Sequence, residues 1–366
     1  MNAVLKDPAS RSEGDMLSLT DIDRITDFYV WDVSDLDEGV STAMAFAGKP
    51  AAKPVAETPV AAWLRGLLAH VRSTHPNETD FRVEYTHKDQ LYLYRGHRDL
   101  TVNHPLLCLR RHPTVCPRLE DLNLPKFWGE LLMQARLLKG GLILVAAVTG
   151  QGKSTTIAGT VRSRLEKFAG FCRSIEDPPE LPLHGTHGDG ICIQTPVDAK
   201  HGRDGFAEAL RSALRSFPAL PSGGTICVVG EVRDAETAAV LLQAAVNGHL
   251  VIATVHANDI NTACSRIASL ASGAMPELMA RELLASGLVY AIHQTLTFDV
   301  EAEGWKRGKI GGDFLASFDN ASPVATMIRD GLFKSLPGAV EAQRAILKNA
   351  ANVGDFIKRV GPGVGP

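Results

Sequence analysis

The sequence predicts an α/β protein built on a mostly parallel sheet, and three observations predict it. From Gly141 onward, short apolar runs alternate with helical patterns, as when strands are covered on both faces by helices. A glycine-rich turn, AAVTGQGKSTT from Ala146 to Thr156, follows directly on the first run, Gly141-Leu142-Ile143-Leu144-Val145. Two acidic stretches, Ser174-Ile175-Glu176-Asp177-Pro178 and Cys227-Val228-Val229-Gly230-Glu231, close later runs. In open α/β sheets, that end of the strands is where ligands collect.

Taken in order, residues 1–20 are polar with little periodicity and are expected to form a mobile tail. Asp27 to Val33 alternates as a strand does, and Ala45 to Val60, rich in Ala, Pro and Lys, is expected to be a linker. Ala61 to Ser73 places Leu64, Leu67, Leu68 and Val71 at helical spacing. The alternating segments 81–85 and 90–95 then complete a small α+β domain, 21–113. Residues 114–140, overlapping the Pro-rich HPTVCPRLEDLNLP segment (112–125), are expected to connect it to a second domain, 141–300. Strands are expected at 142–148, 171–175, 190–194, 225–229 and 250–255, with helices at 153–167, 204–217, 234–247 and 259–270. Helical patterns at 275–291, 323–336 and 339–350 suggest that 301–366 is a helical terminal region, ending in a disordered VGPGVGP.

Composition narrows the function. The 366 residues carry a formal net charge of only −3, without the basic footprint of a dedicated nucleic-acid binder. No apolar run approaches the length needed to span a bilayer, and MNAVLKDPASRSEGD lacks the apolar stretch of a signal peptide. The six cysteines include no CxxC pair, and Cys192 and Cys227 sit in apolar runs, so buried thiols are expected rather than metal ligands or disulfides. The chain therefore reads as cytoplasmic. His184, His187 and His201 share a glycine-rich loop without convincing metal-ligand spacing.

The chemistry centres on the glycine-rich turn. Ala147 to Ser154 has the spacing of a P-loop, with Ala147 in place of the usual first Gly. Gly150 and Gly152 let the backbone of Thr149, Gly150, Gln151 and Gly152 curl into an anion-binding nest. Lys153 would reach the β- and γ-phosphates, Ser154 a Mg²⁺ ion, and Thr155 completes the helix start facing the anion. Of Glu176 and Glu231, one carboxylate can hold the metal or its water and the other can activate the attacking water. Asn247-Gly248-His249-Leu250 and Thr254-Val255-His256-Ala257 bracket one strand, and both histidines are candidates to sense the γ-phosphate. Arg211 and Arg215, one helical turn apart, are expected on a solvated face or, in an oligomer, against a neighbour.

SIEDPPE, Gly230-Glu231-Val232-Arg233-Asp234 and NGHLVIATVHAND, in this order behind the P-loop, resemble the secretion and pilus-motor ATPases of the PilT-like and DotB-like kind. LRRHPTVCPRLEDLNLP is similar to that family's connector, and SPVATMIRDG is a weaker echo. The resemblance implies a RecA-like P-loop NTPase domain behind a PAS-like N-terminal domain, assembled as a homohexamer that hydrolyses ATP with Mg²⁺. It implies Glu231 as general base, Glu176 on the metal or its water, and His249 and His256 as nucleotide sensors or interface residues. Arg110 and Arg95 match positions from which the family's N-terminal domain presents arginines to nucleotide. The implied setting is cytoplasmic and peripheral at the inner membrane, serving a type IV secretion, conjugation or pilus machine through platform proteins, without direct nucleic-acid binding.

The sequence departs from the family pattern in Arg215-Ser216-Phe217-Pro218, which lacks the usual acid before the proline, and in the short PALPSGG loop that follows. A four-cysteine zinc module is also absent, which favours the PilT-like or DotB-like branch. Two other functions compete: a RecA-like nucleic-acid translocase, for which no Lys/Arg cluster is present, and a nucleotide-binding assembly module with little hydrolysis.

Overall fold

The computed structural model describes residues 17, 19–47, 51–102, 104–197, 205–220, 223–297, 299–301, 304–306 and 308–361. Most of the expected tail, His201, part of the PALPSGG loop and the last five residues lie outside them. The chain divides into two compact units, 1–114 with 299–306, and 115–298 with 307–366.

The first unit is an antiparallel sheet of six strands: β1 (Asp27–Trp31), β2 (Met44–Phe46), β3 (Lys53–Pro54), β4 (Asp80–His87), β5 (Gln90–Leu100) and β6 (Pro105–His112). They lie in the order β3-β2-β1-β6-β5-β4. Helix α1 (Leu36–Ser41) is capped by the Asp35 carboxylate, and α2 (Val60–Thr74) buries Trp63, Leu64, Leu67, Leu68 and Val71. Strand alternation sends Phe28, Val83, Tyr94 and Leu109 into this core, and Arg82, Arg95 and Arg110 to the opposite face.

Residues 45–47 and 51–60 are not a linker. Met44–Phe46 pairs with β1, Lys53–Pro54 pairs with β2, and Ala45 and Val55 are fully buried. Proline is tolerated there because β3 is an edge strand, which needs no second row of hydrogen bonds.

The second unit opens with residues that the sequence suggests as a connector. Instead, a short turn at Leu119–Asp121 and helix α3 (Lys126–Leu132) bury Leu119, Trp128, Leu131 and Leu132. Positions 128, 131 and 132 fall on one helical face, and that stripe docks on the sheet.

The sheet strands are β7 (Gly141–Ala146), β8 (Phe171–Glu176), β9 (Gly185–His187), β10 (Gly190–Pro196), β11 (Thr225–Val229), β12 (Leu250–Val255), β13 (Leu288–Leu296) and β16 (Ile310–Ala316). Their order is β16-β13-β7-β12-β11-β8-β10-β9, parallel except for the two edges. Between β13 and β16 the chain forms an antiparallel pair, β14 (Asp299–Glu301) and β15 (Gly304–Lys306). Every residue of β7, β11 and β12 is buried, as strands covered on both faces require.

One face carries α5 (Gly205–Arg215), α6 (Ala235–Val246), α7 (Ile260–Ala271) and α8 (Glu277–Gly287); the other carries α3 and α4 (Lys153–Phe168). The five expected strands and four intervening helices of this region form close to their expected bounds. The expected helix 275–291 ends at Gly287, and residues 288–296 enter the sheet beside β7. The C-terminal region is consequently only partly helical: β16 completes the sheet before α9 (Pro323–Arg329), α10 (Leu336–Asn349) and α11 (Val353–Val360).

Candidate functional site

Strand register gathers the site at one edge of the sheet. Ala146 lies level with Val255, Ala253 with Val229, and Val229 with Ile175, so β7, β12, β11 and β8 end side by side. The P-loop leaves β7 at this edge. Thr149 and Gly150 form its exposed crest, and Gly150 and Gly152 take φ of 80° and 79°, conformations only glycine adopts freely. Gly152 caps α4, so Lys153, Ser154 and Thr155 occupy the first turn and the helix N-terminus faces the loop.

Lys153 donates to the carbonyls of Ala147 (2.8 Å) and Val148 (3.1 Å) and lies 3.4 Å from His256 Nδ1. An ammonium only donates, so Nδ1 is the acceptor there, and the ring proton belongs on Nε2. That nitrogen is 3.4 Å from Glu231 Oε1, and Arg233 holds the other carboxylate oxygen at 2.5 Å. Burial pulls the Lys153 ammonium below its usual pKa, while Glu231 and Glu180 pull it back up. Lys153, His256 and Glu231 thus form one connected row.

Glu176 is the second carboxylate. Ser174 Oγ (2.5 Å) and Gln194 Nε2 (2.9 Å) both donate to Glu176 Oε1. Burial raises the Glu176 pKa above the ordinary carboxylate value, and these two hydrogen bonds oppose the rise. Gln194 is itself fixed, because its oxygen accepts from the amides of Leu183 (3.0 Å) and His184 (2.9 Å). Glu176 and Ser154 line one cavity of about 30 Å³, together with Gly230 and Thr254. A hydroxyl and a carboxylate facing one small cavity suit a Mg²⁺ ion that takes its remaining ligands from phosphate and water.

Other expected residues lie elsewhere. His249 precedes β12, at the opposite edge of the sheet and roughly 20 Å from the P-loop at about 3.3 Å per residue. It stacks on Phe217 at 4.8 Å and pairs with Thr225 Oγ1 at 2.9 Å, so it does not join the row around Lys153. Arg95 and Arg110 are in the first unit, opposite each other across β5 and β6. Arg110 pairs with Asp27 at 2.8 Å and Arg95 with Asp80 at 3.6 Å. Arg211 is indeed exposed, where it pairs with Glu236.

Sequence reasoning missed Ser174, Gln194, Thr254 and Gln294. Thr254 Oγ1 donates to the Gly230 carbonyl, and Gln294, fully buried on β13, bonds to the P-loop. Each is a polar residue near the carboxyl end of an apolar strand, and that placement was the available signal.

The chain is similar to known proteins in sequence and in fold. Residues 108–316 match the family model described as type II/IV secretion system protein. The chain is 38% identical over 161 residues to the type IV pilus ATPase PilU of Pseudomonas aeruginosa, covering 44% of this chain and 38% of PilU. It is 32% identical over 240 residues to the Escherichia coli protein YggR, covering 66% and 67% of the two chains. With the pilus retraction ATPase PilT of P. aeruginosa the identity is 30% over 235 residues, covering 63% and 61%. The fold matches that of the crystallised retraction motor PilT with bound ADP at a TM-score of 0.63, with 23% identity and coverage of 95% and 98%. The ATPase DotB of Legionella pneumophila gives 0.62, with 21% identity and coverage of 92% and 90%. The family match covers more than half of the chain and includes both the P-loop and the acidic and histidine segments around it. The chain belongs to the type II/IV secretion system protein family.

Proposed function

We propose that this chain hydrolyses ATP and drives a type IV secretion, conjugation or pilus machine as a homohexameric motor. The observation that carries the proposal is the convergence of Lys153, Ser154, Glu176, Glu231 and His256 at adjoining strand and helix ends. Lys153 and the loop amides bind the phosphates, and Ser154 and Glu176 hold Mg²⁺ or its water. The ion supplies charge neutralisation to the phosphoryl group. Glu231 accepts the proton of the attacking water, and His256 orients that carboxylate and faces the γ-phosphate.

The RecA-like and PAS-like assignments of the two regions belong to the same proposal. So does a cytoplasmic location, peripheral at the inner membrane, with membrane platform proteins as partners. Among the described residues, no helix is long and apolar enough to cross a membrane.

Phosphate release from ATP by the purified chain, with and without Mg²⁺, tests the activity. Wild-type turnover that Lys153→Ala leaves unchanged would refute this site. Assembly is tested separately: turnover should fall on dilution, and Arg110→Ala or Arg95→Ala should lower it without changing the monomer fold.

A further inference from the structure

Gln294 is a polar side chain with no exposed surface, on a strand that also buries Tyr290, Ala291 and Ile292. Register places His293 level with Ala146, so Gln294 lies one position beyond the end of β7, where the P-loop begins. Its amide has two fixed partners. Thr156 Oγ1 donates to Gln294 Oε1 at 2.8 Å, and Gln294 Nε2 donates to the Gln151 carbonyl at 2.6 Å. The amide cannot be turned over, because its oxygen would then face a carbonyl that can only accept. The next residues of β13 hold the same loop residue again, since the Leu296 amide donates to Gln151 Oε1 at 2.6 Å.

This anchoring has a geometric consequence. In a trans peptide the carbonyl of one residue and the N–H of the next point in opposite directions in one plane. With the Gln151 carbonyl tied to β13, the Gly152 N–H is turned away from β13. A side chain at Gly152 would be strained by the positive φ, and its Cβ would lie 3.3 Å from Gln294 Nε2, a tight contact.

We propose that Gln294 is a positioning residue for phosphate binding, which fixes the Gln151–Gly152 peptide so that its N–H faces the anion. The inference rests on the P-loop holding phosphate. It adds a part of the site contributed by β13, 143 residues from the loop it orients. An apolar side chain at 294 releases the peptide to rotate, and the loop must then be reordered by each nucleotide it binds.

The experiment is Mg-ADP titration of the full chain by calorimetry, alongside steady-state ATP turnover and thermal melting. Gln294→Leu should raise the ADP Kd and the ATP KM at least tenfold while kcat at saturation stays within about threefold, because bound phosphate restores the loop. Gln294→Glu keeps the acceptor for Thr156 but loses the donor to Gln151, and should weaken binding as much. Thr156→Val, a milder change that frees the far end of the amide, should weaken it less and in the same sense.

Gln343→Leu is the matched control. Gln343 is also buried and is bonded to both the amide (2.7 Å) and the carbonyl (2.8 Å) of Ala316, away from the loop. It should lower the melting temperature and leave the ADP Kd unchanged. Wild-type affinity in Gln294→Leu, or parallel losses of affinity and stability in Gln294→Leu and Gln343→Leu, overturns the positioning role alone. A wild-type chain that binds no ADP overturns the phosphate-loop reading, and this inference with it.

Discussion

The two ends of the parallel sheet are built from the same strands and do opposite work. At the carboxyl edge, β7, β8, β10, β11, β12 and β13 and the loops and helix that follow them deliver polar side chains that bond to one another: Lys153 to His256, His256 to Glu231, Gln194 to Glu176 and Gln294 to the P-loop. At the amino edge, backbone packs on backbone. A Cβ on Gly140, whose φ is +96°, would meet the Gly248 carbonyl carbon at 2.4 Å. Even the buried Arg164 serves the main chain there, donating to the carbonyls of Leu132 (2.8 Å) and Gln134 (3.1 Å) at the end of α3. The two histidines of one strand make the contrast plain. His256 faces a lysine and a carboxylate, whereas His249 stacks on a phenylalanine. One edge is closed by shape and the other is kept open for chemistry.

The largest effect should come from breaking the carboxyl edge. Glu231→Gln removes the proposed base but little of the phosphate cradle, so turnover should drop by about 10²–10⁴ while ADP affinity stays near wild type. The melting temperature should hardly move, because Glu231 is bonded only to exposed or half-buried partners. Single-turnover phosphate release beside ADP titration checks this, and a near-normal rate would remove Glu231 from the mechanism.

The next effect belongs to the amino edge and should have the reverse signature. Gly140→Ala forces a side chain into backbone at positive φ and should cost about 2–4 kcal/mol of stability. At temperatures where the variant remains folded, ADP affinity should match wild type. Denaturant unfolding with ADP titration separates the two, and a selective loss of ADP affinity would blur the division of labour.

A smaller effect concerns Glu176. Burial raises its pKa, so activity that needs the carboxylate should fade on the acid side at a pH above the ordinary glutamate value. Ser174 and Gln194 favour the charged form, and removing either bond must raise the pKa further. The acid limb of kcat/KM should therefore move to higher pH in Ser174→Ala and in Gln194→Leu. An unmoved limb in both variants would separate Glu176 from the activity.

The smallest effect is at His249. Burial lowers its pKa, so between that value and about 6.5 the unfolded chain binds more protons than the folded one. Stability in this window should fall as pH falls, through this residue, and His249→Gln should flatten the slope. Urea unfolding at pH 7 and pH 5.5 measures it, and equal slopes in the two proteins would show that His249 carries no such linkage.

Much of the second unit was legible in the sequence because its signals are local. Runs such as LILVA and LVIATV are continuous because both faces of the strand are buried, and the P-loop announces itself by glycines at a set spacing before Lys153. The stretch 45–60 misled for an equally local reason. Ala, Pro and Lys carry little periodicity, yet pairing with β1 buries Ala45, and pairing with β2 makes an edge strand of Lys53–Pro54. The strand β13 was hidden by its start, where Gly287 ends a helix and Leu288 enters the sheet without a turn between them.

The sequence by itself determined the alternation of strand and helix, the glycine-rich turn before Lys153 and the order of the acidic and histidine segments behind it. Each of these is written in residues close together along the chain, where backbone sterics and side-chain periodicity act directly. Strand order was decided only by the tertiary structure, because it depends on which buried faces match across long stretches of chain. Placing β7 between β12 and β13 sets His256 beside Lys153 and brings Gln294 to a loop 143 residues away.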